Sequence, residues 1–256
     1  MYLKSNTLFT GKVCIRIEDI DSTQTYLMER CANTKPIEGT AILSYNQHSG
    51  IGQRGNKWHT DPNEAIAVSV VFYPHSLAIG DQFYLNMAIA LSVRSLFAEL
   101  SSQEVKIKWP NDIMVDSKKI AGVLLNNVLK GNGIEQTIVG IGLNVNQSRF
   151  PDHLPQATSL NLVTGKVFEL DAVTVALFEK LEFEYLRLRS GRFSEILSDF
   201  NLHLFRKDER VTVSSASGAR SDVFIVGVNS GGDLIVRDLQ GSNQQYRHGQ
   251  VFLNYE

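Results

Sequence analysis

The stretch that decides the fold is "SGIGQRGNKWHT", Ser49 to Thr60. Its glycines at 50, 52 and 55 have the spacing G-x-G-x-x-G, which in a dinucleotide-binding fold comes after a strand and opens a helix. A strand-like run, "GTAILSYNQ", does precede it, but no helical pattern begins at it. Beyond the loop lies "EAIAVSVVFY", a β-branched run stopped by Pro74, which reads as another strand. The dinucleotide-binding context is therefore missing. A glycine loop between two strands, with Arg54, Lys57 and Trp58 in or beside it, reads either as a nest of backbone amides for a phosphate or carboxylate, or as an ordinary glycine-rich surface loop.

Outward from this loop the chain alternates helices and strands. "DSTQTYLMERCAN" reads as a helix entered through Asp21, Ser22 or Thr23, all good N-cap types. "DQFYLNMAIALSVRSLFAEL" reads as a long helix capped by Asp81 and apolar nearly all round, hence buried. "EVKIKW" is a strand ended by Pro110. Two hairpins are expected next, one turning at Asp116-Ser117 and one at Gly131-Asn132-Gly133. Residues 171–205 have helical spacing and give one long and one shorter helix. From Glu209 to Tyr255 short strands alternate with Gly and Ser turns, which suggests a small β-barrel of its own. The expected organisation is an α+β catalytic domain over residues 1–206, a mixed sheet with flanking helices, and then an SH3-like barrel over 207–256. The linker is expected near Arg206-Lys207-Asp208.

The 256 residues are 43% hydrophobic and 20% charged, enough for a full-sized core. A net charge of -2 gives no sign of the basic face that nucleic-acid binding needs. Cys14 and Cys31 are too few for a disulfide framework or metal site and read as reduced thiols. No run of 18 apolar residues and no signal peptide is seen. The expected location is the cytoplasm, with no membrane and no nucleic-acid partner.

Three further segments carry chemistry. In "KWPNDIM", Asn111 and Asp112 come just after the tip of a strand. In "KKIAGVL", Lys119 comes seven residues after Asp112, with Gly122 three further on. In "VGIGLNVN", Gly140, Gly142 and Asn144 share one strand face by the period of two, and two glycines there leave a groove floor. Each has a plainer reading as a turn, a solvated lysine pair or a packing glycine. Their conjunction in one chain favours a binding groove.

With these segments together the chain resembles the biotin protein ligases, from "DSTQTYL" through "SGIGQRGNKW", "KWPND", "KKIAG" and "GIGLNVN" to the C-terminal strands. The resemblance implies an enzyme of the biotin/lipoyl ligase fold that takes biotin and ATP, with Mg²⁺, and forms biotinyl-5'-adenylate and pyrophosphate. It then passes biotin to a lysine of a biotin carboxyl carrier domain. By the same resemblance Lys119, Asp112 and Arg54 are the catalytic candidates. Lys119 contacts the biotin carboxylate and the phosphate. Ser22, Thr23 and Gln47 hydrogen-bond the ureido ring, with Gln24 beside them. Gly50, Ile51, Gly52 and Gln53 form the loop that folds over the ligand, and Trp58 packs on it. Asn111 and Asn144 lie near the adenine, and Gly122, Gly140 and Gly142 belong to the groove. No protein-held metal site is expected, and a homodimer is compatible with the family. Some members carry an N-terminal winged-helix domain; here the motifs begin within 25 residues, so that domain and repressor activity are not expected.

The sequence departs from the family pattern in places. Ile51 stands where the loop usually has an arginine, Gln24 where the family has Asn, and Asn126 where a Glu is common; "EAIA" departs from the usual strand. These departures fit a working ligase with altered loop kinetics or an inactivated relative. Two other readings stay open: a lipoate- or octanoate-attaching enzyme of the same fold, and a non-catalytic biotin- or nucleotide-binding protein.

Overall fold

The structure, a computed structural model, describes residues 3–215 and 218–254; the side chains of Arg54, Ser215 and Asn254 lie outside the described part. The expected barrel therefore reaches past the described residues at 216–217 and 255–256.

In chain order the first nine strands are β1 (Cys14–Arg16), β2 (Ala41–Ser44), β3 (Gly50–Ile51), β4 (Lys57–Trp58), β5 (Ala65–Phe72), β6 (Val105–Lys108), β7 (Asp112–Val115), β8 (Lys118–Lys130) and β9 (Gly133–Asn144). Seven of them form one mixed sheet in the order β1-β2-β5-β9-β8-β7-β6, with β3 and β4 a separate two-stranded hairpin. Only β1 and β2 pair in parallel; the other neighbours run antiparallel.

Both faces of this sheet are covered, and the period of two decides what covers each. Ile66, Val68, Val70 and Phe72 of β5 point into the main core, made with the helices α2 (Gln82–Ser101) and α4 (Leu170–Arg189). The alternate residue Val71 joins Ile42, Ile138 and Leu27 in a smaller cluster under α1 (Thr23–Asn33). All eight residues of β5 are buried. Helix α2 buries twelve of its twenty residues, because its apolar surface faces α4, α5 (Phe193–Leu202) and the sheet. With the turn before it, this helix is long and apolar enough to cross a membrane by composition alone, but that apolarity is used by the core. Each buried Leu, Phe or Met there contributes roughly 1.5–3 kcal/mol.

A second, antiparallel sheet is formed by β10 (Arg210–Ser215), β11 (Arg220–Val228), β12 (Leu234–Asp238), β13 (Asn243–Tyr246) and β14 (Val251–Asn254), in the order β13-β12-β11-β10-β14. The segment expected to link the two parts is short and bonded on both sides. Leu204 bridges to Ile107 of β6, and Lys207 bridges to Ile225 of β11. Three further contacts, from Trp109 after β6 and from helices α2 and α5, dock the second sheet on the preceding part of the chain. Trp109 Nε1 donates to the Gly232 carbonyl (2.9 Å). The Phe83 ring fills the space that a side chain at Gly232 would need. The Asn201 carboxamide of α5 donates to the Val228 carbonyl (3.0 Å) and accepts from its N–H (2.7 Å).

Several expectations are corrected in detail. Ser22 caps α1 by accepting from Thr25 N (3.3 Å), but Asp81 makes no cap bond, because a 3₁₀ turn, Ile79–Asp81, leads into α2. Strand β6 stops at Lys108, before Trp109. The second hairpin turns on Gly131-Asn132 alone, since Gly133 already pairs with Lys130. Strand β1 and the short helix α3 (Leu160–Thr164) are not expected from the sequence.

Candidate active site

Cross-strand register builds the floor of the site. Ala67 of β5 lies opposite Gly142, Gly142 opposite Gly122, Gly122 opposite Asp112, and Asp112 opposite Lys108. Directly opposed residues share a face of the sheet, so one row crosses five strands, small at one end and charged at the other. The next row runs Ser69–Gly140–Leu124. Both rows line a cavity of about 350 Å³. Helix α1 and the β3–β4 hairpin rise from the same face, and His248 and Gly249 of the loop before Val251, with residues 251–253, line the end next to Trp109.

The glycines of the floor make room for protein groups. A Cβ at Gly142 would sit inside the Trp58 indole, and one at Gly122 would lie 3.1 Å from that ring and 3.2 Å from Lys119 Cε. A Cβ at Gly140 would collide with the Gln24 carboxamide. The groove floor read from the sequence is thus covered by Trp58 and Gln24. Lys119 Nζ lies 5.4 Å from the centre of the Trp58 ring, a cation–π contact, and bonds Asp112 at 2.6 Å.

The neutral end is a buried polar network. Gln47 Oε1 accepts from the Thr23 N–H (2.9 Å) and hydroxyl (3.2 Å). The Ser69 hydroxyl donates to Gln24 Oε1 (3.1 Å), and Gln24 Nε2 donates to the Ile138 carbonyl (3.1 Å). Thr23 Oγ1 and Ser69 Oγ are also 2.9 Å apart. Each hydroxyl carries a single proton. Either hydroxyl can donate across that contact, and each carboxamide adds two N–H donors, so this end both donates and accepts.

At the charged end, burial pushes the Lys108 ammonium pKa down and the Lys119 cation adds to that, while Asp112 pulls it up. Asn111 is buried and donates to the Val123 carbonyl, whose own N–H bonds the Asn111 carbonyl (3.1 Å), tying β7 to β8.

The sequence points to seventeen site candidates, and most converge on this cavity. Ser22, Thr23, Gln24, Gln47, Ile51, Gly52, Gln53, Trp58, Asn111, Asp112, Lys119, Gly122, Gly140 and Gly142 all line it. Gly50 does not; a side chain there would strike the Trp58 carbonyl and Gln47 Nε2 (2.6 Å), so this glycine lets the hairpin close. Asn144 is placed elsewhere. Its side chain donates to the Thr158 carbonyl (3.0 Å) and accepts from Gln147 (3.2 Å). The 156–158 segment in turn bonds the Lys119 backbone, so Asn144 steadies Lys119 from behind. The Arg54 side chain lies outside the described residues. The amide nest expected in the glycine loop is not formed as such: Gly52 N donates to the Asn56 carbonyl (2.7 Å) and Asn56 N to the Gln53 carbonyl (3.1 Å). A hairpin, Gly50 against Trp58 and Ile51 against Lys57, satisfies these amides internally. Sequence reasoning missed Ser69, Ala67, Lys108 and the residues from the second sheet. The small residues at alternate positions of "AIAVS" were a usable signal for the first two.

Residues 17–144, half of the chain, match the family model described as "Biotin/lipoate A/B protein ligase family". The chain belongs to that family. Among curated family relatives, the bifunctional ligase/repressor BirA of Bacillus subtilis is 30% identical over 182 residues, which is 69% of this chain and 55% of that protein. The biotin–[acetyl-CoA-carboxylase] ligase of Mycobacterium tuberculosis is 25% identical over 201 residues, covering 77% of this chain and 73% of that protein. The chain spans about half the length of the first of these relatives. Among solved structures, the biotin protein ligase from Aquifex aeolicus in complex with biotin and ATP superposes with a TM-score of 0.81 at 25% identity, covering 96% of this chain and all of that one. The mixed sheet with flanking helices is the ligase fold of that neighbour.

Proposed function

We propose that this family member is a biotin–carrier-protein ligase, which forms biotinyl-5'-adenylate from biotin and ATP and transfers biotin to a lysine of a biotin carboxyl carrier domain. The observation that carries this reading is the polarity of the cavity. One end is neutral and lined by hydroxyl and carboxamide groups; the other holds Lys108, Lys119 and Asp112. A ureido ring brings N–H donors and a carbonyl, and buried polar groups need partners. The Thr23, Ser69, Gln24 and Gln47 groups can donate to its carbonyl and accept from its N–H groups. A dithiolane or plain acyl chain offers neither, so lipoate and octanoate fit this end less well.

In this reading a carboxylate oxygen of biotin attacks the α-phosphorus of ATP. The bond to the bridging oxygen breaks, and its electron pair leaves with pyrophosphate. Two anions meet in this step, and Lys119 sits where fixed positive charge lowers the cost. Trp58, resting on Gly122 and Gly142, covers the reacting groups and excludes water. Asp112 holds the Lys119 ammonium in place and is the carboxylate among the described residues that line the cavity. Arg54 is kept as a catalytic candidate from the loop sequence. Magnesium is proposed to arrive with ATP as its counter-ion. Among the described residues no group of three or more His, Cys, Asp or Glu gathers as a cage, and Asp112 is engaged by Lys119, so the residues do not fit a resident metal. The reading includes a cytoplasmic location, a division at residues 206 and 207, and an SH3-like closure of the second sheet.

The test is incubation with ATP, Mg²⁺, biotin and a biotin carboxyl carrier domain, and then intact-mass measurement. A gain of one biotinyl group on the carrier supports the reading. No gain with biotin but a gain with lipoate replaces it by the lipoyl alternative.

A further inference from the structure

We propose that Lys108 is a second anion-holding residue of this site, one that grips the β- and γ-phosphates of a nucleoside triphosphate and then the departing pyrophosphate. This rests on the ligase reading above and assigns it a residue.

The geometry places Lys108 at the end of the row Ala67–Gly142–Gly122–Asp112–Lys108, so its side chain rises from the same sheet face as the cavity floor. It lines the cavity, as does His248 of the loop before β14, and lies on the far side of Asp112 from the glycines. Asp112 is already bonded to Lys119 at 2.6 Å. Among the described residues lining this end of the cavity, one carboxylate thus stands with two lysines. A half-buried ammonium beside another cation gains from any anion brought to it. Burial and the neighbouring Lys119 do hold the Lys108 pKa below its usual value.

The division of labour comes from position. Lys119 touches the Trp58 ring and flanks Gly122, at the middle of the cavity where a carboxylate meets the α-phosphate. Lys108 is two strand pairs farther out, on the edge strand β6. When the bridging Pα–O bond breaks, its electron pair adds one negative charge to the pyrophosphate. Lys108 is the cation placed to meet that charge, and a Lys suits a phosphate as a point charge.

The experiment compares Lys108→Gln and Lys108→Arg with the wild type by calorimetry against ATP, inorganic pyrophosphate and biotin, each titrated separately. Lys106→Gln is the control, since Lys106 on the same strand pairs with Glu104 at 2.7 Å. Losing one charge-assisted contact is worth roughly 10-fold or more in affinity. Lys108→Gln should weaken ATP and pyrophosphate by about that factor and leave biotin within about twofold; Lys108→Arg should retain most of the affinity, and Lys106→Gln should match the wild type. Equal ATP and pyrophosphate affinity in Lys108→Gln overturns the proposal, as does an equal loss for biotin. These titrations need no turnover. A protein that binds ATP through Lys108 yet never adenylates biotin would sink the ligase reading alone.

Discussion

Lys119 is held from three directions: Asp112 at its ammonium, the Trp58 ring over it, and the 156–158 segment on its backbone. Such fixing suits a charge that acts in the transition state, because no reorganisation is needed when the anions meet. Lys119→Ala should therefore cut pyrophosphate release at saturating substrates by about 100-fold or more, the range seen when one preorganised donor is removed. Biotin binding without ATP should change far less. Lys118 is exposed on the same strand, and Lys118→Ala should behave as wild type in the same assay. Near-normal turnover in Lys119→Ala would remove that residue from the reaction. Gly142 gives a second test at this scale. An alanine methyl there enters the space of the indole, and overpacking typically costs about 1–3 kcal/mol. Gly142→Ala should push Trp58 toward water, with red-shifted emission, and weaken ligand binding by roughly 10-fold. Unchanged emission in the folded variant would mean that the strand yields instead of the ring.

Among the elements, α4 does more than cover the sheet. Its Glu182, 6% exposed, accepts backbone N–H groups from Leu8, Phe9 (2.9 Å) and Thr10 (2.9 Å), and so clasps the N-terminal segment. Burial pushes this carboxyl up, but the three backbone donors together outweigh it, and its pKa lies below the ordinary 4.5. A depressed carboxylate pKa adds stability above the unfolded value, and that stability fades as pH falls through the folded one. Glu182→Gln should lower stability by about 1–3 kcal/mol at pH 7. The gap to wild type should narrow as pH drops below 4.5, read as urea midpoints at each pH. A gap independent of pH would assign the loss to packing. Elements of this kind show what is legible in a sequence. The long helices and the two hairpins were readable because apolar period and turn residues act locally. Strand β1 was not, since three residues carry no period, and neither was the Glu182 clasp, whose partners are more than 170 positions apart. At the site, the motif residues were readable. Lys108 and Ser69 were not singled out, because register across five strands is what brings them to the floor. For Asn144, strand period gives the face of the side chain but not its partners, Thr158 and Gln147.

Over the whole molecule, the site depends on how the second sheet docks. Asn201 is the cleanest handle, since its two bonds to Val228 lie away from the cavity lining. Asn201→Ala loses both and should cost about 1–3 kcal/mol of stability. ATP affinity should fall several-fold, because the residues at the charged end shift with the sheet, while biotin affinity holds. A destabilised variant with unchanged ATP affinity would detach the second sheet from the site. The closing wall also has a position in time. Ser22 to Gln24 leave the ribosome more than 220 residues before His248 to Leu253, yet they border one cavity. A nascent chain can fold its floor long before it has both ends of the wall. The wall at the charged end is therefore completed only after the floor, and chains cut short before His248 would carry Lys108, Asp112 and Lys119 without that wall.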